Sequence, residues 1–236
     1  MNQTTITPIS GLSSTQLDNP TIRACVGWKS NITPWRTGDK VGTIFLMNLL
    51  DESGEITGVV FDDLCNTFYG QIREGSVCLF TNFDVTLANE RYKLLKNPIQ
   101  ISFIEETVVQ LEEELCNTPF PKYNFLPLSE VYKTPDGEPV DAIGICIEVA
   151  DVEERGGHII REIWLLDADE EGVMLNLWEN EATSFSGEPG DVIVVKGARV
   201  KEHDNQKKLN ADWYTMVQIN PETPDAISML EWYENM

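Results

Sequence analysis

Basic residues are scarce in this chain. Lys and Arg number 17 against 39 Asp and Glu, for a formal net charge of −22 over 236 residues. A surface of that sign repels polyanions and anionic membranes, so contact with either has to be local. Histidine is scarcer still: His158 and His203 lie far apart and supply no local metal motif. The five cysteines, Cys25, Cys65, Cys78, Cys116 and Cys146, are odd in number, widely spaced and without a CxxC pair. Most sit in apolar runs such as "SVCLF" and "IGICIEV", so they read as buried free thiols of a reducing compartment rather than disulfides or zinc ligands. No run approaches the roughly 18 apolar residues of a membrane span. The opening "MNQTTITPIS" lacks the charged-then-apolar order of a secretory signal, so a soluble intracellular protein is expected.

Catalytic signatures are missing too. "GLSST" (11–15) lacks the second glycine of a nucleophile elbow, and there is no Walker loop or dinucleotide fingerprint. "KTPDG" (133–137) approaches the lysine motif of nucleotidyltransferases, but its spacing is one residue too long. The chain therefore reads as a non-enzyme that uses no metal and no cofactor.

What positive charge there is, is focused. Windows 29–40, 91–96 and 196–208 carry eleven basic and three acidic residues, a net of +8 that leaves −30 on the rest. The stretch "VVKGARVKEHDNQKKL" (194–209) alone holds Lys196, Arg199, Lys201, Lys207 and Lys208.

Strand signals run through both halves in the same order. In the first half, 21–28 is rich in β-formers, 42–50 and 55–61 form a hairpin around "DESG", and 62–72 has Leu64, Phe68 and Ile72 at helical spacing. A second hairpin joins 76–87 to 91–103 around "ANE". In the second half, 141–151 is a strand, 162–178 a hairpin turning at 168–171, 179–185 a short helix, and 191–200 and 213–219 strands. "LLD…GVVFDDLCNTF" (49–68) aligns with "LLD…LNLWENEATSF" (165–185), placing Phe61 on Trp178 and Phe68 on Phe185 at an offset of 117. The pattern predicts an all-β protein of two tandem five-stranded Greek-key OB barrels, each with a short helix between strands three and four. Residues 1–118 form the first domain, and 119–236 the linker and second domain. The acidic run 105–115 reads as a solvated helix, and the Pro-rich 116–140 as a connector that lets the barrels reorient. "PDAISMLEWYENM" reads as a C-terminal helix starting at Pro224 and Asp225.

An OB barrel binds across strands two and three and between the loops after strands one and four. Single strands are held there by basic groove residues and by aromatics on which bases stack. The loop 28–40 of the first barrel carries Trp35 among Lys29, Arg36 and Lys40, its second hairpin offers Tyr92 beside Arg91 and Lys93, and strand three ends on Phe61. Matching places of the second barrel carry Trp178, Arg199, Lys201, His203, Lys207 and Lys208. Each has a plainer reading: Phe61 and Trp178 as core aromatics, the lysine-rich hairpin as a solvated tip. Their coincidence at equivalent places in both repeats favours a ligand face.

At these residues, from "PISGL" (8–12) to "LEWYEN" (230–235), the chain resembles the large subunit of replication protein A, in its central pair of single-stranded-DNA-binding OB domains. "LLDESGEITGVVF", "DAIGIC" and "VVKGARV" carry the resemblance most specifically. It implies a nuclear protein that binds and protects single-stranded DNA in replication, repair and recombination, with other subunits of that family or repair proteins as partners and no membrane. It also implies stacking roles for Phe61, Tyr92 and Trp178, a loop role for Trp35, and a ligand contact for Arg199. The second stacking position of domain two falls on His203, a smaller platform, and several basic groove positions of domain one fall on Thr33, Thr43, Thr57 and Thr86. The family's flanking protein-docking and zinc-bearing domains have no counterpart in this sequence, which fits either a fragment or a stand-alone paralogue. The alternative function is a protein-interaction scaffold with weakened or lost DNA binding.

Overall fold

The computed structural model describes residues 5–15, 20–89, 95, 97–115, 121–203 and 205–236. The chain divides into two compact units, Met1–Lys122 and Tyr123–Met236.

The first unit contains β1 (Thr21–Lys29), β2 (Thr33–Thr37), β3 (Lys40–Asp51), β4 (Gly54–Phe61), α1 (Asp63–Phe68), β5 (Ser76–Leu87) and β6 (Ile99–Leu115). Strand β1 pairs antiparallel with β3, β3 with β4, and β5 with both β6 and β1, while β4 and β6 run parallel. The five strands close a ring in the order β1-β3-β4-β6-β5, the connectivity of an OB barrel. Alternation drives it: Phe45, Met47 and Leu49 of β3, Ile56 and Val60 of β4, and Ile101 and Phe103 of β6 share one core. Each such fully buried side chain contributes about 1.5–3 kcal/mol. Helix α1 adds Cys65 and Phe68 to the same core, with the Phe68 ring edge-on to Phe103 at 5.0 Å. The tight β3–β4 turn is fastened by the Asp51 carboxylate, which accepts from the Ser53 and Gly54 amides at 2.7 and 2.9 Å.

The second unit repeats the plan. Its elements are α2 (Leu128–Val131), β7 (Pro139–Val149), β8 (Glu153–Arg155), β9 (His158–Leu166), β10 (Gly172–Trp178), α3 (Asn180–Ser184), β11 (Val192–His203), β12 (Gln206–Ala211), β13 (Met216–Ile219) and α4 (Pro224–Glu234). The ring runs β7-β9-β10-β12-β11 and back to β7, again with one parallel pair, β10 and β12. Helix α4 starts where the sequence predicts: Thr223 accepts from the Ala226 amide and Pro224 occupies the first turn. Its Ala226, Met229, Trp232 and Tyr233 pack on Ile145, Val192 and Val194.

Several local expectations are corrected. The run 105–115 is not a helix but the long second half of β6, paired with β5 from Cys78↔Leu111 to Thr81↔Val108. The β-branched "TVV" and a free partner edge on β5 outweigh the helix-forming glutamates there. The loop 28–40 contains β2, which folds back on β3; in the second unit β8 likewise folds back on the start of β9. The final strand of the second ring begins at Gln206 rather than 213, because β12 returns at once after a tight turn in which Asn205 has a φ of 59°. Cys65, Cys78 and Cys146 are free and buried as expected, but Cys25 is disulfide-bonded. Finally, Leu128 and Val131 of the proline-rich passage are fully buried in the second unit's core, so that part of the passage is not a tether.

Candidate nucleic-acid interface

At the mouth of the first barrel, β4 ends on Phe61. Its side is 37% exposed, whereas the core rings Phe45 and Phe80 are wholly buried, so Phe61 is not a core aromatic. Trp35 of β2 meets it edge-on, with centroids 6.3 Å apart and planes at 87°. Trp35 lies over Gly42, its partner on β3; a Cβ there would stand 2.8 Å from Trp35 Nε1 and 1.9 Å from Asp62 Oδ1. Asp62 is the hub. It adopts a φ of 52°, rarely populated by residues other than glycine, at the N-cap of α1, yet its side chain does not cap the helix. The carboxylate instead accepts from Trp35 Nε1 at 3.2 Å and from the Thr43 amide at 3.1 Å.

The second barrel builds the same device from different residues. Trp178 ends β10, and His158, the first residue of β9, meets it edge-on at 6.1 Å and 82°. Glu179 follows with a φ of 52°, occupies the N-cap of α3 without capping it, and places Oε1 2.8 Å from His158 Nδ1. In both barrels the amide of this acidic residue also donates to the hairpin strand, Asp62 to Thr43 O and Glu179 to Ile159 O. Trp178 is further anchored by its Nε1, which donates to Asn210 Oδ1 at 2.7 Å. Each ring is thus held in a T-shaped pair and remains partly solvent-exposed, as a base-stacking platform must be.

The predicted cations are distributed less simply. Arg36 is exposed at the tip of the β2–β3 hairpin, its Nε donating to Gly38 O at 3.3 Å. Lys29 points into the fold: its ammonium donates to Tyr69 O and Ile72 O at 2.8 and 2.7 Å and lies 3.9 Å over the Tyr69 ring. It caps the carbonyls that follow α1. Burial lowers its pKa, against the pull of the Glu74 carboxylate. Arg91, Tyr92 and Lys93 lie outside the described residues.

In the second barrel Lys196 is buried beside the Tyr123 ring. Arg199 Nη1 donates to Gly137 O at 3.0 Å, Lys201 pairs with Asp136 at 3.4 Å, and Lys207 donates to Thr134 O at 2.6 Å. Lys208 meets Glu162 at 2.8 Å, and Arg155 meets the same carboxylate at 3.2 Å. The hydrogen bond from Lys208, then that from Arg155, holds the Glu162 carboxyl below the usual carboxylate range. His203 is exposed where β11 turns into β12, opposite Gln206. Lys207 and Lys208 are half-buried strand residues, not a solvated tip. Of the threonines at expected basic positions, Thr43 Oγ1 donates to Asp62 O at 3.3 Å, Thr86 bonds Ser102 at 3.2 Å, and Thr57 is buried.

Sequence reasoning missed Asp62, Glu179, Asn210 and Glu162. The first two carried a signal: "FDD" and "WEN" both place an acid directly after the strand-end aromatic, at the same offset of 117. Asn210 and Glu162 carried none, since their partners come from other strands.

These features define a tandem OB-fold protein with an aromatic pair at each barrel mouth. Residues 128–220 match the family described as replication protein A OB domain, and residues 31–134 match one described as domain of unknown function DUF223. The chain is 36% identical to the replication protein A 70 kDa DNA-binding subunit of Drosophila melanogaster over 97% of its own length, and 29% identical to replication factor A protein 1 of Schizosaccharomyces pombe over 98%. A solved replication protein A heterotrimer bound to ssDNA superimposes with a TM-score of 0.75 at 29% identity, covering 98% of this chain and 55% of that one. Along nearly its whole length the chain is similar to the replication protein A large subunit. It spans 39% of the length of each of those two relatives.

Proposed function

We propose that this chain binds single-stranded DNA without catalysing a reaction on it, protecting strands exposed in replication, repair and recombination in the nucleus, beside other replication protein A-like subunits. One observation carries the reading: both barrels present a partly exposed aromatic, held in a T-shaped pair, at the end of the third ring strand, Phe61 and Trp178, in a chain homologous along nearly its whole length to subunits named as DNA-binding. Phe61, Trp35, Trp178 and His203 offer faces for bases, and Arg36, Arg199, Lys201, Lys207 and Lys208 offer charge for phosphates. Residues 1–118 form one binding domain, and 119–236 the connection and the second.

The test is fluorescence anisotropy with labelled oligo-dT of increasing length, at low and moderate salt. Binding that tightens once the strand is long enough to occupy two barrels, and weakens with salt, supports the reading. Length-independent or undetectable binding favours a protein-interaction scaffold instead. That second reading draws on the second barrel, whose basic residues are engaged by the unit's own carbonyls and carboxylates.

A further inference from the structure

The segment 134–137 lies along the basic hairpin of the second barrel. Thr134 O takes Lys207, Gly137 O takes Arg199, and the Asp136 carboxylate takes Lys201. The turn is held in place by its main chain: Gly137 N donates to Val200 O at 2.8 Å and Val200 N to Glu138 O at 3.0 Å. Gly137, at a φ of +83°, makes the reversal that lets both bonds form. Two of the three basic contacts are to neutral carbonyls, which leave Arg199 and Lys207 their full charge. The third is different in kind. Asp136 is a carboxylate, and its Oδ2 lies against the ammonium of Lys201.

Resting on the reading of this hairpin as a single-strand site, we propose that Asp136 is a built-in phosphate mimic that competes with the bound strand for Lys201 and so sets the affinity of the second barrel. The contact is suited to exchange. Both side chains are about half exposed, 53% and 54%, and their charged atoms are 3.4 Å apart, the geometry of a weak surface pair. The carboxyl is ionised: the Glu202 amide, donating to Oδ1 at 2.9 Å, and then Lys201 hold its pKa below the usual range. A strand phosphate brings the same charge with more acceptor oxygens, so it displaces Asp136 at the cost of one exposed pair. A ligand without charge has nothing to gain there.

The experiment compares wild type with Asp136→Asn in oligo-dT titrations across several salt concentrations, with thermal melting as a check on folding. Asparagine keeps an oxygen for the Glu202 amide and loses only the charge; Asp136→Ser, which can also accept that bond, serves as a second variant. Either should bind about twofold to fivefold tighter at low salt, the range for releasing one exposed pair. Because the phosphate takes Lys201 in wild type and variant alike, the dependence of log K on log salt should change by less than the roughly 0.7 of one phosphate contact. In a Lys201→Gln background the gain should vanish. Glu138→Gln removes an equal charge two residues away and should change affinity less than about twofold. Unchanged affinity for the Asp136 variants overturns the proposal while the binding function stands. So does an equal gain from Glu138→Gln, which would mark a diffuse field, or a gain that survives Lys201→Gln. Absence of binding by wild type and variants alike overturns the functional reading and this proposal together.

Discussion

The two barrels carry one backbone device and two different side-chain economies. In each, an acidic residue forced to a φ of 52° sits where the third ring strand ends, declines to cap the helix it begins, and holds the aromatic of the neighbouring hairpin. In the first barrel that aromatic is Trp35, reaching from the outgoing strand across Gly42; in the second it is His158, on the returning strand. Gly42 and His158 occupy equivalent places, two residues before the strand partners Ile44 of Phe61 and Ile160 of Trp178. One barrel needs an empty position because the ring arrives from opposite; the other supplies the ring from the position itself. The charges diverge further: Arg36 stands exposed and donates to a carbonyl of its own hairpin, whereas Lys201 and Lys208 each meet a carboxylate of their own unit. Equivalent geometry does not imply equivalent readiness to bind a phosphate.

Removing the stacking rings should have the largest effect. Phe61→Ala and Trp178→Ala should each weaken oligo-dT binding by about 1–3 kcal/mol while thermal melting shows a folded chain. Two folded variants that bind like wild type would remove the shared device from the binding account. Next is the glycine that separates the barrels. Gly42→Ala puts a methyl group against Asp62 and Trp35 and should cost the first unit about 1–3 kcal/mol of stability, or expel Trp35. Urea unfolding together with tryptophan fluorescence measures both, and a silent substitution would show that the Trp35 contact is not tightly packed.

A smaller effect should come from the carboxylate that ties Arg155 to Lys208. Because Glu162 has a depressed pKa in the folded protein, its stabilisation is present above the ordinary glutamate value of about 4.3 and is lost as pH falls through the depressed one. Glu162→Gln should therefore cost about 1–2 kcal/mol at neutral pH, with the gap from wild type closing at acid pH. Denaturation at several pH values follows it; a gap that does not depend on pH would assign the loss to packing. The smallest difference should separate two single cations. Arg36→Gln should flatten the salt dependence of binding by about 0.7, and Lys208→Gln by less, because Lys208 already pairs with the Glu162 carboxylate. Equal slopes would mean that internal partners do not discount a cation.

The repeats, the barrel order and the positions of Phe61 and Trp178 were legible because they depend on local signals. Alternation of period two, a turn such as "DESG" and an aromatic at a strand end are read within ten residues or so. The acidic run 105–115 misled because helix propensity is also local, while its strand pairing with β5 is not. The same limit governs the basic stretch 194–209. Sequence by itself determined that its charges lie on one hairpin of the second barrel. Only the tertiary structure decided what they face: Arg199 meets a carbonyl 62 positions away, Lys201 a carboxylate 65 away, Lys207 a carbonyl 73 away and Lys208 a carboxylate 46 away. Those partners become neighbours when the ring closes through β7, β9 and β12. Electrostatic pairing acts over a few ångströms of space, and no pattern of residue types along the chain specifies that distance before the barrel exists.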